Sequence, residues 1–485
     1  KDTGMEKVLE YESIMRDLFN KQLEAEEQHK QEVADRYQKE IEEYQNNLKR
    51  QNAEWDKINE LNRNIREQVR LEREQKALAK KKQEAEARAK RELEEKIKKL
   101  SEKYLERVME LRRELHQYPE LGFDLFKTAE IVKKELDRIG IPYKSEIAKT
   151  GIVATIKGSK PGKTVLLRAD MDALPITEES RCTFKSTHDG KMHACGHDGH
   201  TAGLLGAGMI LNELKDELPG TIKLLFQPAE EIAKGAKAVI EESKITDSID
   251  AAFAIHLWQG IPIGKISLES GARMAAADLF SIKVKGKSGH GSMPHETIDA
   301  VVVASAIVMN LQHLVSRNTN PLDTLVVTVG KLVAGTRHNI IAGEALLEGT
   351  IRSFSDEVWK KVPEQIERVV KNTAAAYDAE AEIDLVRATP PLVNNQDISD
   401  ILKASAEKLY GEEVVTKYEK TPGGEDFAYF TQAVPGALAF VGIRNDEKGI
   451  NSPHHNETFD MDEEALEMGA NLYAQFAIDF LNSEK

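Results

Sequence analysis

Two cysteines, Cys182 and Cys195, are all the thiols in 485 residues. So few exclude a disulfide framework, and in a reducing compartment both stay free to act as ligand or nucleophile. No run of about 18 apolar residues occurs, so no membrane-spanning helix is expected. A charged-then-apolar leader with a small-residue cleavage site is missing too, which makes the cytoplasm the default location. Positive charge is in deficit: 67 Lys and Arg against 82 Asp and Glu give a formal net charge of −15. That balance argues against nucleic acid and membrane surfaces as partners. Hydrophobic residues at 40% suffice for a sizeable core, and the length suits roughly two to four domains.

A second absence is local. Between Met5 and Tyr118 there is no Gly and no Pro, and stretches such as LEREQKALAKKKQEAEARAKRELEEKIKKL consist of strong helix formers with opposite charges three and four apart. One or more long helices follow; unbroken, the run would reach about 170 Å. Ile41, Tyr44, Leu48, Trp55, Ile58, Ile65 and Val69 form a heptad-like seam that also takes in Gln51 and Asn62. Upstream, Val33, Tyr37 and Ile41 are four apart, and after Val69 the seam fades into charge. The plain reading is a charged helix without chemistry; the sharper one is a coiled-coil surface that pairs with another helix. Residues 1–103 are therefore expected as a helical extension, natural or a fusion.

Beyond Pro119 the texture changes. TVLLRADMD, TIKLLFQP and AAFAIHLW are short apolar runs bounded by Gly, Pro or charge, as buried strands are, and TAGLLGAGMILNELK between them has a helical pattern. Strands alternating with helices predict an α/β fold, with a mixed sheet covered by helices and functional groups at strand ends. Near residue 278 the pattern shifts again: DLFSIKVKGK and TLVVTVGKLV flank a helical DAVVVASAIVMNLQHLV, and VWKKVPEQIERVVKNTAAAY follows. This predicts an α+β domain at 278–390 inserted into a catalytic domain made of residues 104–277 and 391–485.

The densest cluster of lone pairs is HACGHDGH, residues 193–200. Cys195 and His197, two apart, do not share a helix face, but a loop eased by Gly196 and Gly199 converges them. Thiolate plus imidazole suits zinc, with manganese, cobalt and nickel also compatible. A Cys–His nucleophile and a merely polar loop are the rival readings. FQPAEE sets Glu230 and Glu231 directly after a strand, where one carboxylate can hold an ion while its neighbour takes a proton from water; the bland alternative is a solvated helix start. His256 lies in FAIHLW, where a hydrogen-bonded core histidine is the alternative. His454 and His455 sit in SPHHNETFD, and Asp170 and Asp172 follow TVLL. Five ligand-rich segments beside strand ends make a metal-centred hydrolase the economical account.

RADMDALP, DGKMHACGHDGHTA, FQPAEE, SGHGSMPH, RHNIIAGEALLEGTIRSF, GGEDFA and PHHNETF occur in this order. Together they resemble the peptidase M20 amidohydrolases, nearest the N-acyl-amino-acid amidohydrolases, hippurate hydrolases, N-acetyldiaminopimelate deacetylases and auxin-conjugate hydrolases. The likeness runs from roughly residue 104 to the end. It implies a metallopeptidase-type catalytic domain with an inserted lid and dimerisation domain, two divalent ions per subunit, and hydrolysis of the amide bond of N-acyl amino acids. Carried over residue by residue, Cys195, His197, Glu231, His256 and His455 are the metal ligands. Glu230 is the general base, Asp172 orients the centre, and His290 reaches in from the inserted domain to the oxyanion. Asn339 and Arg352 hold the substrate, Arg because its planar fork binds carboxylates in bidentate fashion. The last motif departs from the family's His-Ser-Pro-x-Phe or His-Asn-Pro-x-Phe, so that His455 is chosen by counting back from Phe459, with His454 beside it. The first hundred residues match nothing in the family. The rival from another class is a helical interaction or scaffold protein that carries the enzyme domain as an appendage.

Overall fold

The computed structural model describes residues 2–27, 31–48 and 55–483, in two compact units, Lys1–Leu93 and Glu94–Lys485. The first is helical. It holds α1 (Asp2–Glu27), α2 (Gln31–Leu48) and the start of α3 (Trp55–Gln117). Tyr11, Met15 and Leu18 of α1 close a small core with Ile41 of α2 and Ile65 of α3, flanked by Tyr37 and Val69. Among the described residues the long helical run holds three helices, and the seam residues Tyr37, Ile41, Ile65 and Val69 pack within the chain. Their few apolar side chains are covered only if the helices gather. Gln51, and the side chains of Val33, Tyr44, Leu48, Trp55, Ile58 and Asn62, lie outside the described residues. From Arg70 to Lys82 every residue is exposed, with ion pairs such as Arg70–Glu74 at 3.7 Å along the surface.

The second unit begins within α3 and continues through α4 (Phe126–Ile139), β1 (Tyr143–Ile147), β2 (Gly151–Lys157), β3 (Lys160–Asp170), α5 (His197–Leu214), β4 (Pro219–Gln227), α6 (Gly235–Ser243) and β5 (Ala251–Pro262). Then come β6 (Ile266–Ser267), β7 (Gly271–Met274), β8 (Ala276–Lys285), β9 (Gly289–His290), α7 (Ala300–His313), β10 (Leu325–Ala334), β11 (Ile340–Ile341), β12 (Glu344–Ser353), α8 (Asp356–Ala375) and β13 (Glu380–Thr389). The chain ends through β14 (Leu392–Asn394), α9 (Gln396–Tyr410), α10 (Ala428–Ala433), β15 (Gly436–Arg444) and α11 (Glu464–Leu481).

Seven strands form one mixed sheet in the order β1-β2-β4-β3-β5-β15-β6. Its centre, β4, β3, β5 and β15, is parallel, which matches the unbroken apolar runs of a sheet covered on both faces. β15 lies beside β5, so the last stretch of chain completes the sheet begun before residue 278. On one face Leu166, Leu225, Ala254 and Phe440 pack with Val239 of α6 and with Phe427 and Phe430. Against the sheet also lie α5 and α11. Every residue of α5 from His197 to Leu211 is buried. Its glycines make room: a Cβ at Gly206 would meet Cγ2 of Val108, on α3, at 2.7 Å.

A separate antiparallel sheet, β10-β12-β8-β13, carries α7 and α8 over a core that includes Phe280, Ile282, Ile307, Leu347 and Ile366. Leu279, Val326 and Val386, each next to a residue of this core or packed against it, point to the other face and are 48%, 45% and 47% exposed. Residues Ala300–Asn318 have the length and hydropathy of a membrane-crossing helix. In the fold Ala300, Val303, Ala304, Ile307 and Leu311 of that stretch are buried in the core beneath this sheet.

Candidate metal centre

The sheet brings the candidate residues together from neighbouring strands and the segments that follow them. Asp170 closes β3 and Asp172 follows it; β4 ends at Gln227, three residues before Glu230; His256 lies on β5. Gly196, at φ 87°, turns the chain so that His197 opens α5, a conformation that costs glycine little. The two glutamates stand in a turn rather than at the start of a helix.

Sγ of Cys195 lies 3.6 Å from Nε2 of His256. Donor atoms of Cys195, His197 and His256 fall within 4.8 Å of one another, as do those of Cys195, Glu231 and His455 and those of His197, Glu230 and Glu231. Glu231 joins these groups: its Oε1 is 3.8 Å from Nε2 of His197 and its Oε2 is 3.5 Å from Nε2 of His455. Nε2 of His197 and Oε1 of Glu231 are buried without a hydrogen-bond partner. Buried polar atoms in that state are costly unless something binds them. One thiol, three imidazoles and a carboxylate around such orphaned atoms fit a pair of divalent ions of the zinc, manganese, cobalt or nickel type.

The surroundings fix which nitrogen of each ring is free. Nδ1 of His197 donates to the backbone carbonyl of Asp172 at 2.9 Å, and Nδ1 of His256 to the carbonyl of Leu257 at 2.9 Å. A carbonyl only accepts, so both Nδ1 atoms carry hydrogen, and in the neutral ring the lone pair is left on Nε2, the arrangement usual for metal-bound histidine. The Asp172 carboxylate accepts the backbone N–H of Glu230 at 3.0 Å and of Glu231 at 3.1 Å. It thereby sets the turn that presents both glutamates.

Several residues that support this cluster were not singled out by sequence. His200 bonds Oδ1 of Asp170 through Nδ1 at 2.6 Å and accepts the N–H of Leu257 at Nε2 at 2.8 Å. Both its nitrogens are engaged, so the last histidine of HACGHDGH is a structural member. Buried Arg168 binds Asp170 at 2.8 Å and Glu425 and Asp426 at 2.9 Å each. Asp198 receives Nε of Arg112 at 2.9 Å and Nδ1 of His116 at 2.8 Å, both from α3. Their signal was present in RADMD, GGEDFA, HACGHDGH and LRRELH, yet nothing in those strings tells which residue meets which.

Carboxylates outnumber cations here, and the proton affinities reflect it. Burial, then Glu425, Glu231, Asp426 and Asp170, raise Glu230 well above the usual carboxylate range. Burial raises Glu231 to about 7 despite the opposing effect of His197. Burial alone would lower His197, but Asp170, Asp172 and Glu231 hold it up at about 10. Burial and the carboxylates of Glu231, Glu230 and Asp170 push the Cys195 thiol well up. A site this rich in negative charge favours cations, and a glutamate with raised proton affinity suits acid–base work near neutral pH.

The other three candidates, His290, Asn339 and Arg352, stand elsewhere. His290, on β9, pairs with Ile340 of β11, and the N–H of Gly291 bonds the carbonyl of Asn339 at 3.0 Å, so His290 and Asn339 are neighbours and exposed. Arg352 is half-buried on β12 with a buried, unpartnered Nη1. Among the described residues no hydrogen bond or ion pair ties any of them to the Cys195 cluster. His455, half-exposed, faces Glu231, whereas His454 turns its Nε2 to the carbonyl of Leu257 at 3.0 Å.

Residues 166–479 match the family described as peptidase family M20/M25/M40. The N-acetylcysteine deacetylase of Bacillus subtilis (strain 168) is 39% identical over 384 residues, which span 78% of this chain and 98% of the relative. The IAA-amino acid hydrolase ILR1-like 2 of Arabidopsis thaliana is 39% identical over 381 residues, 78% of this chain and 86% of its own length. Among solved structures, the Bacillus subtilis YXEP protein, a dinuclear metal-binding peptidase from the M20 family, aligns with a TM-score of 0.69 at 35% identity, covering 78% of this chain and 99% of that one. With matches of this extent over the unit that holds the site, the chain belongs to peptidase family M20/M25/M40 and is a hydrolase of that family.

Proposed function

We propose that the chain hydrolyses the amide bond of small N-acyl amino acids, giving a carboxylic acid and a free amino acid. Two divalent ions would be held by Cys195, His197, Glu231, His256 and His455. The observation that carries this reading is the place of Glu231, with one oxygen toward each of two groups of donors and with orphaned, buried donor atoms beside it. Zinc or manganese suits the donors best, with cobalt and nickel compatible. When bound, such ions would polarise the scissile carbonyl and lower the pKa of water to about 7.

The chain's own residues supply the rest. Glu230, next in sequence to Glu231 and rich in proton affinity, takes the water's proton and returns it to the leaving amine. Asp172 orients it through the Glu230 and Glu231 N–H bonds. His290 donates to the developing oxyanion, and Asn339 and Arg352 hold the substrate's carboxylate. These three roles require residues 278–390 to act as a lid that closes over residues 104–277 and 391–485. The same inserted domain pairs subunits into a homodimer. The deacetylase and amino-acid-conjugate hydrolase named among the relatives support a small amidated amino acid as substrate. Activity against a panel of N-acetyl and N-benzoyl amino acids tests this: turnover on at least one supports it, and turnover only on unblocked peptides overturns it.

A second reading has one observation in its favour, the 3.6 Å approach of Cys195 to His256, which also suits a thiol nucleophile and its base. The surrounding carboxylates oppose a thiolate unless a cation offsets them. Hydrolysis that survives exhaustive chelation selects this reading.

A further inference from the structure

Leu257, the residue after His256, has both halves of its backbone committed to imidazoles. Its N–H donates to Nε2 of His200 at 2.8 Å; its carbonyl accepts from Nδ1 of His256 at 2.9 Å and from Nε2 of His454 at 3.0 Å. Two histidines from distant segments therefore share one carbonyl oxygen, and each must present its N–H there. The ring of His454 also lies against Trp258 and Phe459, with centroids 4.7 Å and 5.2 Å away and tilts of 35° and 34°. Trp258 is itself stacked on Phe440 of β15 at 4.2 Å. His454 is thus tied to β5 by a hydrogen bond and by its ring.

The next residue is His455. Its backbone φ is 61°, a left-handed value that residues with a β-carbon rarely adopt and that surrounding structure must enforce. One restraint is its own N–H, bonded to the carbonyl of Ala194 at 2.8 Å, and Ala194 directly precedes Cys195. The other is the adjacent His454, held to β5 by its hydrogen bond and ring contact.

We propose that His454 is a positioning residue, whose Nε2–H bond to the Leu257 carbonyl fixes His455 over Glu231 and orients His256 through the shared oxygen. It acts through its neighbours and touches neither substrate nor ion. The inference rests on the reading of His256 and His455 as ligands. Outer hydrogen bonds of this kind are worth roughly 10–100-fold in metal affinity.

The test uses the full chain, stripped by chelation and titrated with cobalt(II), with the thiolate-to-cobalt absorption of Cys195 and the number of ions bound as readouts. His454→Phe keeps the stacking and loses the donor; it should weaken binding of one ion about 10–100-fold. His454→Gln restores a donor and should recover most of that loss. His455→Ala is the control for the ligand reading. If His455→Ala weakens binding while His454→Phe binds like the wild type, the positioning role is overturned and the ligand reading stands. If His455→Ala binds both ions as the wild type does, the ligand reading falls and the inference with it. If His454→Phe removes an ion that His455→Ala retains, His454 is itself the ligand and the inference is overturned. Should His454→Phe fail to fold, His454→Leu takes its place as the variant without a donor: weaker binding that His454→Gln recovers supports the role, and binding like the wild type overturns it.

Discussion

The sulfur of Cys195 and Nε2 of His256 lie 3.6 Å apart, although 61 residues separate them in the chain. One stands on the loop that leads into α5 and the other on β5, and β5 pairs directly with β3, whose end supplies Asp170. Parallel neighbours place their C-terminal ends side by side, so the sheet gathers chemistry that the chain keeps apart.

Glu230→Gln removes the base while leaving Glu231 and the Asp172 bonds to the backbone in place. Ion content should stay at the wild-type level while turnover falls by about 10²–10⁴-fold. Steady-state kinetics alongside elemental analysis checks this; unchanged turnover removes Glu230 from the mechanism.

Packing of α3 on α5 depends on the missing side chain at Gly206, where a Cβ would stand 2.7 Å from Val108 and 3.1 Å from Ala470. Gly206→Val should destabilise the fold by about 1–3 kcal/mol, as overpacked cores do. Chemical denaturation measures it. Gly206→Val paired with Val108→Ala should recover part of the loss.

Burial alone would raise Glu178, but bonds from His116 and Ser180 and from the Ser186 N–H hold it down at about 2. A carboxylate depressed on folding contributes stability that is present above its unfolded pKa, about 4.3, and is lost as pH falls toward 2. The difference in melting temperature between the wild type and Glu178→Gln should therefore be largest near neutral pH and shrink between about pH 4 and 2. A constant difference across that window contradicts the assignment.

The compact unit that holds the site begins at Glu94. Removal of residues 1–93 should leave hydrolysis within a few-fold of the full chain, because Ile97, Val108, Leu111 and Leu115 of α3 remain buried on the retained side. Loss of activity in a folded truncation would tie the helices to catalysis and contradict this expectation.

The strands and the candidate ligand segments were readable because their signal is local: an apolar run that ends in Asp170, shortly precedes Glu230 or carries His256 keeps its meaning in any context. Roles set by distant partners were not. His197 and His200 are the same residue type three positions apart, yet one keeps a free nitrogen and the other spends both on Asp170 and Leu257. His454 and His455 differ in the same way, through a carbonyl nearly two hundred residues earlier. No Gly or Pro lies in the sequence between α1 and α2 or between α2 and α3, so composition showed helix and concealed the grouping around Met15 and Ile41.

The most direct measurement is the divalent metal content of the purified chain, followed with its hydrolytic activity through exhaustive chelation and re-addition. The account predicts two ions per chain, loss of hydrolysis as they leave, and its return with zinc, manganese or cobalt. Full activity in protein carrying far less than one ion per chain would contradict it.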